Sequence, residues 1–217
     1  MAVFQLLNRI ANRIANSDEL TTDNTDKIYY LDKHRKLVID SIGTKAWFKD
    51  ELLHREDGPA IESTDGSKHW YKNGELNRED GPAVEYANGT KLWYLSDILH
   101  REDGPAIERS DGSKEWYLNG HLHREDGPAV EYPRGSKFWY LNGEKHREDG
   151  PAVEYASGNK EWWDHGRLHR EDGPAVEGSD EFKYFIDNKI IDINNPSNQK
   201  RYPYLYADYM IRQIMEE

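Results

Sequence analysis

Residues 123–145 read His-Arg-Glu-Asp-Gly-Pro-Ala-Val-Glu-Tyr-Pro-Arg-Gly-Ser-Lys-Phe-Trp-Tyr-Leu-Asn-Gly-Glu-Lys, and the architecture can be worked out from this stretch. Its hexamer Arg-Glu-Asp-Gly-Pro-Ala begins at Arg55, Arg78, Arg101, Arg124, Arg147 and Arg170, always 23 residues after the last. His precedes the hexamer in five copies and Asn77 in one. An internal repeat of this kind overrides any domain count based on length alone.

Every copy goes on with Val or Ile, Glu, and a turn ending at Gly66, Gly89, Gly112, Gly135 or Gly158. Lys, a freely varying residue, Trp and a second aromatic follow. The copy closes on another turn, Asn73-Gly74, Asn119-Gly120, Asn142-Gly143 or His165-Gly166, with Ser96-Asp97 as the exception. Asn-Gly between aromatic-rich runs is the strongest short hairpin signal, so two short strands are predicted per repeat, for instance 113–118 and 128–132. Side chains alternate along a strand, so adjacent Trp116 and Tyr117 must point to opposite faces. The Trp column (Trp47, Trp70, Trp93, Trp116, Trp139, Trp162) and the aliphatic column (Val38, Ile61, Val84, Ile107, Val130, Val153, Val176) are read as one core face. The second aromatics (Phe48, Tyr71, Tyr94, Tyr117, Tyr140, Trp163) then lie on the other, half-exposed face.

Both ends depart from the repeat, as terminal units of an array must. Residues 29–43 resemble a shortened unit, while Lys183, Phe185 and Asn188-Lys189 are read as keeping the register in a degraded last one. Val3, Leu7, Ile10 and Ile14 fall at helical spacing, and Pro203 opens a segment in which Tyr206, Met210 and Ile214 share a stripe with Tyr209 alongside. The expected fold is mainly β, an elongated antiparallel β-hairpin array with short amphipathic helices at both ends. Its divisions are 1–20 for the first helix, 27–193 for about seven repeats, and 194–217 for a linker and second helix.

Composition narrows the function. Seven Trp and fourteen Tyr are too much aromatic surface for a disordered chain, although mean hydropathy is -1.01. The net charge of -12 disfavours nucleic acid and anionic lipid as partners. Absence of cysteine removes thiolate chemistry and disulfides, and no segment has the length of a membrane span. Residues 1–16 lack the continuous apolar run of a secretion signal, so a cytoplasmic location is expected.

Trp116 to His123, reading Trp-Tyr-Leu-Asn-Gly-His-Leu-His, resembles the MORN family of repeats, above all its bacterial Tyr-x-x-Asn-Gly-x-Leu variant, over roughly residues 29–193. The Glu-Asp-Gly-Pro-Ala segment departs from MORN spacing and makes this a divergent relative. His-Arg-Glu-Asp-Gly-Pro-Ala repeats also look like those in proteins of large bacteriophages and giant viruses. The resemblance implies a scaffold or binding protein, for a phage one acting on a host factor in the host cytoplasm, and it carries over no catalytic residue.

His, Glu and Asp are metal ligands, yet sixfold recurrence in equivalent surroundings is better explained by the fold. Turn amides and ion pairs across adjacent hairpins account for an invariant Arg and Asp. Catalysis needs one asymmetric constellation, and none is present. No catalytic residue, metal or cofactor is therefore expected. The expected role is binding of a protein partner, with self-assembly through the terminal helices. A metal- or nucleotide-binding repeat sponge and a structural component of a virion or assembly are the alternatives. A specific site is sought where copies differ: Lys145, Trp163, Arg109 and Arg134, together with Tyr94, Tyr117 and Tyr140, form the candidate aromatic, Arg-bearing strip.

Overall fold

The computed structural model describes residues 26–179 and 182–215. It is mainly β, an array of short antiparallel strands and hairpins followed by two helices, with no closed barrel. The predicted N-terminal helix lies outside the described residues. The chain divides into two compact parts after Leu99, and both use one local construction. In the first part Lys27–Tyr30, Arg35–Ile39, Lys45–Lys49, Ile61–Glu62, Lys68–His69, Val84–Glu85 and Lys91–Leu92 pair in that order. In the second the order is Ile107–Glu108, Lys114–Glu115, Val130–Glu131, Lys137–Phe138, Val153–Glu154, Lys160–Glu161, Val176–Glu177, Phe182–Lys183.

The strand predicted over 113–118 is in fact two. Lys114–Glu115 stays in the sheet, whereas Tyr117–Leu118 turns back on His121–Leu122 as a separate hairpin. Trp116 stands at the junction: its N–H donates to the Ala129 carbonyl (2.8 Å) and its own carbonyl accepts from His123 N–H (3.1 Å). Its two backbone groups are committed to different partners, so a single ladder cannot pass through it. Equivalent hairpins are Tyr71–Lys72 with Glu75–Leu76, Tyr94–Leu95 with Ile98–Leu99, Tyr140–Leu141 with Glu144–Lys145, and Trp163–Asp164 with Arg167–Leu168. Asn142 and Gly143, at φ 51° and 85°, make the mirror-image turn that matches strand twist, which explains Asn-Gly there. Within each part, successive hairpins are also tied together, as where Gly143 N–H donates to Leu122 O (2.9 Å).

Register corrects the expected core face. Val130 is paired with Glu115 on one side and Phe138 on the other. Directly paired residues project to the same face, so the aliphatic column shares its face with the freely varying residue and not with Trp. Opposite Trp stands Ala, and Ala60, Ala83, Ala106, Ala129, Ala152 and Ala175 are all fully buried. The core is two thin layers, Ala on the Trp face and Val or Ile on the other.

Trp is only half-buried because Arg covers it. The Arg124 guanidinium carbon lies 4.1 Å from the Trp116 ring centroid. Its Nε donates to Asp126 Oδ1 (2.8 Å), and its Nη1 donates to Pro128 O (3.3 Å) and Glu131 Oε1 (3.1 Å). Arg55, Arg78, Arg147 and Arg170 make the same stack and bonds with Trp47, Trp70, Trp139 and Trp162. A Cβ on Gly127 would fall 2.9 Å from Arg124 Cζ, so this glycine is required by crowding. The hexamer is thus one structural device. The ion pairs close inside their own loop, not across hairpins as expected, and the link to the neighbouring copy is the Trp stack.

A second link is made by His. The N–H groups of Asn73, Asn119 and Asn142 donate to Nδ1 of His54, His100 and His123, at 3.1, 3.2 and 3.3 Å. In the copy without His, Asn77 Nδ2 donates to Ser96 Oγ (3.3 Å) and Leu76 N–H to Asp97 Oδ1 (2.7 Å). The copy that lacks His therefore faces the turn that lacks Asn-Gly, and the two departures compensate.

At the C-terminal end the last repeat has slipped. Val176 pairs with Lys183, whereas Val153 pairs with Glu161. Lys183 therefore occupies the position of Glu161, one residue off the predicted register, and the buried Tyr184 takes the Trp position. Asn195 caps Pro196–Arg201 by accepting from Ser197 N–H, and Pro203–Met215 is the predicted second helix. Its packed face is Leu205, Tyr206 and Tyr209 against Tyr184 and Ile193. Met210 and Ile214 are exposed, contrary to the predicted stripe. Arg212 fastens the helix to the last repeat through Glu177 (3.2 Å) and the Phe182 ring (4.5 Å), and is itself held by Asp208 (2.8 Å) one turn earlier on the same helix. Among the described residues no helix is long and apolar enough to cross a membrane.

Candidate functional site

The face carrying the aliphatic column also carries the positions where copies differ. Three side chains per repeat meet there: the residue after Val-Glu, the varying residue before Trp, and the second aromatic. In one copy of the second part these are Arg109, Glu115 and Tyr117. Arg109 donates from Nε (3.0 Å) and Nη2 (2.6 Å) to Glu115 Oε1, and Tyr117 Oη donates to Glu115 Oε2 (3.2 Å). Two repeats on they are Tyr155, Glu161 and Trp163. Glu161 accepts from Tyr155 Oη (3.1 Å) and Trp163 Nε1 (2.8 Å). Lys145 Nζ stands 3.8 Å from the same carboxylate and 4.4 Å from the Trp163 ring centroid. Between these clusters the copy carries Tyr132, Phe138 and Tyr140. The rings of Tyr132, Phe138 and Tyr155 follow one another edge to face at 5.7 and 5.8 Å.

Of the residues singled out from sequence, Lys145 and Trp163 meet directly, and Arg109 meets Tyr117 through Glu115. Tyr140 pairs with Lys145 across its hairpin. Tyr94 occupies the equivalent place in the first part, paired with Leu99. Arg134 is exposed in its turn, apart from both clusters. Glu115 and Glu161, the acceptors that organise the clusters, and the rings of Phe138, Tyr132 and Tyr155 were not singled out. The signal was present: Glu115 is two residues before Tyr117, hence on its face.

Burial, then the charge of Glu115, pushes Tyr117 up to about 12, and burial likewise raises Tyr94, Tyr140 and Tyr155. Bonding to Glu115 raises Arg109 above its ordinary value. Tyr117 therefore stays neutral and Arg109 charged across the physiological range. A phenol whose pKa is higher folded than unfolded contributes stability that is complete below its unfolded value of 10.0 and is lost as pH rises through about 12. Phenolate absorbance should accordingly show Tyr117 ionising near pH 12 in the intact protein, and Glu115→Gln should bring that step down. An ordinary phenol titration in the folded chain would contradict the burial described here.

Beside this face, Asp164 lies between His146 (3.1 Å) and His165 (2.6 Å). Partial burial opposes the Asp164 carboxylate, but the hydrogen bond from His165 and the charges of the neighbouring imidazoles outweigh it and lower its pKa. No protein-family model matches the chain, and no curated protein matches it.

Proposed function

We propose that the chain is a non-enzymatic repeat scaffold of MORN-like type that binds a protein partner through the face of Tyr117, Phe138, Tyr140 and Trp163. The observation that carries this reading is the segregation of variation. Residues common to all copies, Arg, Asp, Gly, Pro and Trp, build the Arg-covered face, while the residue after Val-Glu and the one before Trp, which change from copy to copy, lie on the opposite one. Half-buried rings, with the polar tips of Tyr117 and Trp163 fixed on Glu115 and Glu161, give contact area with little left to order on binding, the composition typical of the centres of protein interfaces. Arg109 and Lys145 are held by Glu115 and Glu161, so their polar contacts are fixed before a partner arrives.

The test uses substitutions that return the site to the repeat's own residues. Lys145→Leu with Trp163→Tyr should leave the circular dichroism spectrum and melting unchanged. Affinity capture with partner identification should find a protein that the parent chain retains and this variant loses, with a drop of about tenfold or more expected for a central aromatic. Equal retention by both chains would remove this face as the binding surface.

A further inference from the structure

Where neighbouring turns of the second part carry Leu118-Asn119 and Leu141-Asn142, one carries Asp164-His165. This departure sets both residues beside His146 of the preceding repeat. Asp164 Oδ1 lies 3.1 Å from His146 Nδ1 and 2.6 Å from His165 Nδ1, and the two imidazole centroids are 4.1 Å apart at 39°. One ligating atom from each of the three lies within 4.8 Å of the others, and no second group of this kind occurs among the described residues.

His146 Nδ1 accepts the backbone N–H of His165 (3.3 Å), as the corresponding His does in other repeats, a long bond that a cation on this nitrogen would replace. Asp164 Oδ1 is a second electron-rich atom facing it at 3.1 Å. Two such atoms at that separation are held together by a positive centre between them, a proton or a metal ion.

We infer that His146, Asp164 and His165 form a single binding site for a late first-row divalent cation, with Zn²⁺ as the reference ion. Ligand atoms bonded at roughly 2.0–2.1 Å in a tetrahedron stand about 3.3 Å from one another. The His146 to Asp164 spacing already matches, and the Asp164 to His165 spacing opens by movement of an exposed turn side chain. Side-chain exposures of 12% for His146, 42% for Asp164 and 57% for His165 leave the remaining positions open to water. Two imidazoles with one carboxylate select zinc, nickel or copper over calcium and magnesium, which take oxygen ligands. Glu148, Asp149, Glu171 and Asp172 line the same groove and favour a cation. The argument against metal from six equivalent copies does not extend to a constellation that only one copy has. The ligands come from consecutive repeats, so the ion would clip two hairpins together. The site is independent of partner binding on the aromatic face.

An untagged, chelator-treated full chain should take up one zinc ion in calorimetry, give cobalt absorption in the visible, and melt higher with zinc present. Asp164→Leu with His165→Asn restores residues that neighbouring turns accommodate, so folding is retained, and zinc affinity should fall at least about tenfold. His146→Asn, the residue that Asn77 supplies at this position, should do the same. Absence of saturable one-to-one binding by the parent chain would overturn the assignment, as would equal zinc affinity in the Asp164→Leu/His165→Asn chain.

Discussion

Arg124→Ala should cost about 2–3 kcal/mol of stability in the second part, measured by denaturant unfolding. The side chain, 23% exposed, stacks on Trp116 and donates to Asp126, Pro128 O and Glu131. The Asp126 bond contributes least, because that carboxylate is 83% exposed and screened by water. The larger share comes from the stack, from the Pro128 carbonyl left without a donor, and from Trp116 uncovered to solvent. Lysine is the discriminating substitution. It keeps the charge but has neither the planar surface for the indole nor donors aimed in three directions, so Arg124→Lys should recover less than half of the loss. Full recovery by lysine would mean that charge alone matters and that the stack is incidental.

Ile61→Ala should be at least as damaging in the first part, at about 3 kcal/mol. Ile61 is fully buried among Val38, Ala46, Phe48 and Leu53, with Tyr71 packed against the cluster. The cost exceeds simple transfer because strands of two residues joined to a fixed Arg loop cannot close over the void. Ile61→Val, which removes one methylene, should cost about 1 kcal/mol. In a repeat array stability is approximately a sum of local and nearest-neighbour contributions. Unfolding monitored in the first part should therefore shift more than unfolding monitored near the C-terminal helix. Equal shifts at both ends would show that the array unfolds as one cooperative body.

Sequence reasoning reached the period, the hairpins at each Asn-Gly, and the helix opened by Pro203, because each rests on local chemistry. It failed where the answer depends on which partner a residue meets. Treating 113–118 as one strand put Trp116 with Val130, while the chain changes partners at Trp116 and aligns Val130 with Glu115 instead. The last repeat was misaligned because a shorter turn and a substitution of Trp by Tyr184 look alike without pairing information. Tyr206, Met210 and Ile214 are at helical spacing, but Leu205 was the residue with a cavity to fill. For the candidate strip, Lys145, Trp163, Arg109 and Tyr117 were found because they break or decorate the pattern. Glu115 and Glu161 were missed because, although alternation places them on the face of the second aromatic, in an acidic chain a carboxylate there stands out only once its donors are seen.

The matched departures at Asn77 and at Ser96-Asp97 bear on how such an array can gain or lose members. A genetic deletion of one 23-residue period keeps the reading of the array, yet one that begins between positions 77 and 97 would leave Asn77 facing Asn119 or Leu76 without the Asp97 carboxylate. Only an excision that begins at Glu75 or Leu76 takes both pairs out whole. A deletion across this region that respects both pairs is thus phased just after the tight turn, not at the conspicuous Arg-Glu-Asp-Gly-Pro-Ala, and recombination between the hexamers at Arg78 and Arg101 would set Asn77 against Asn119.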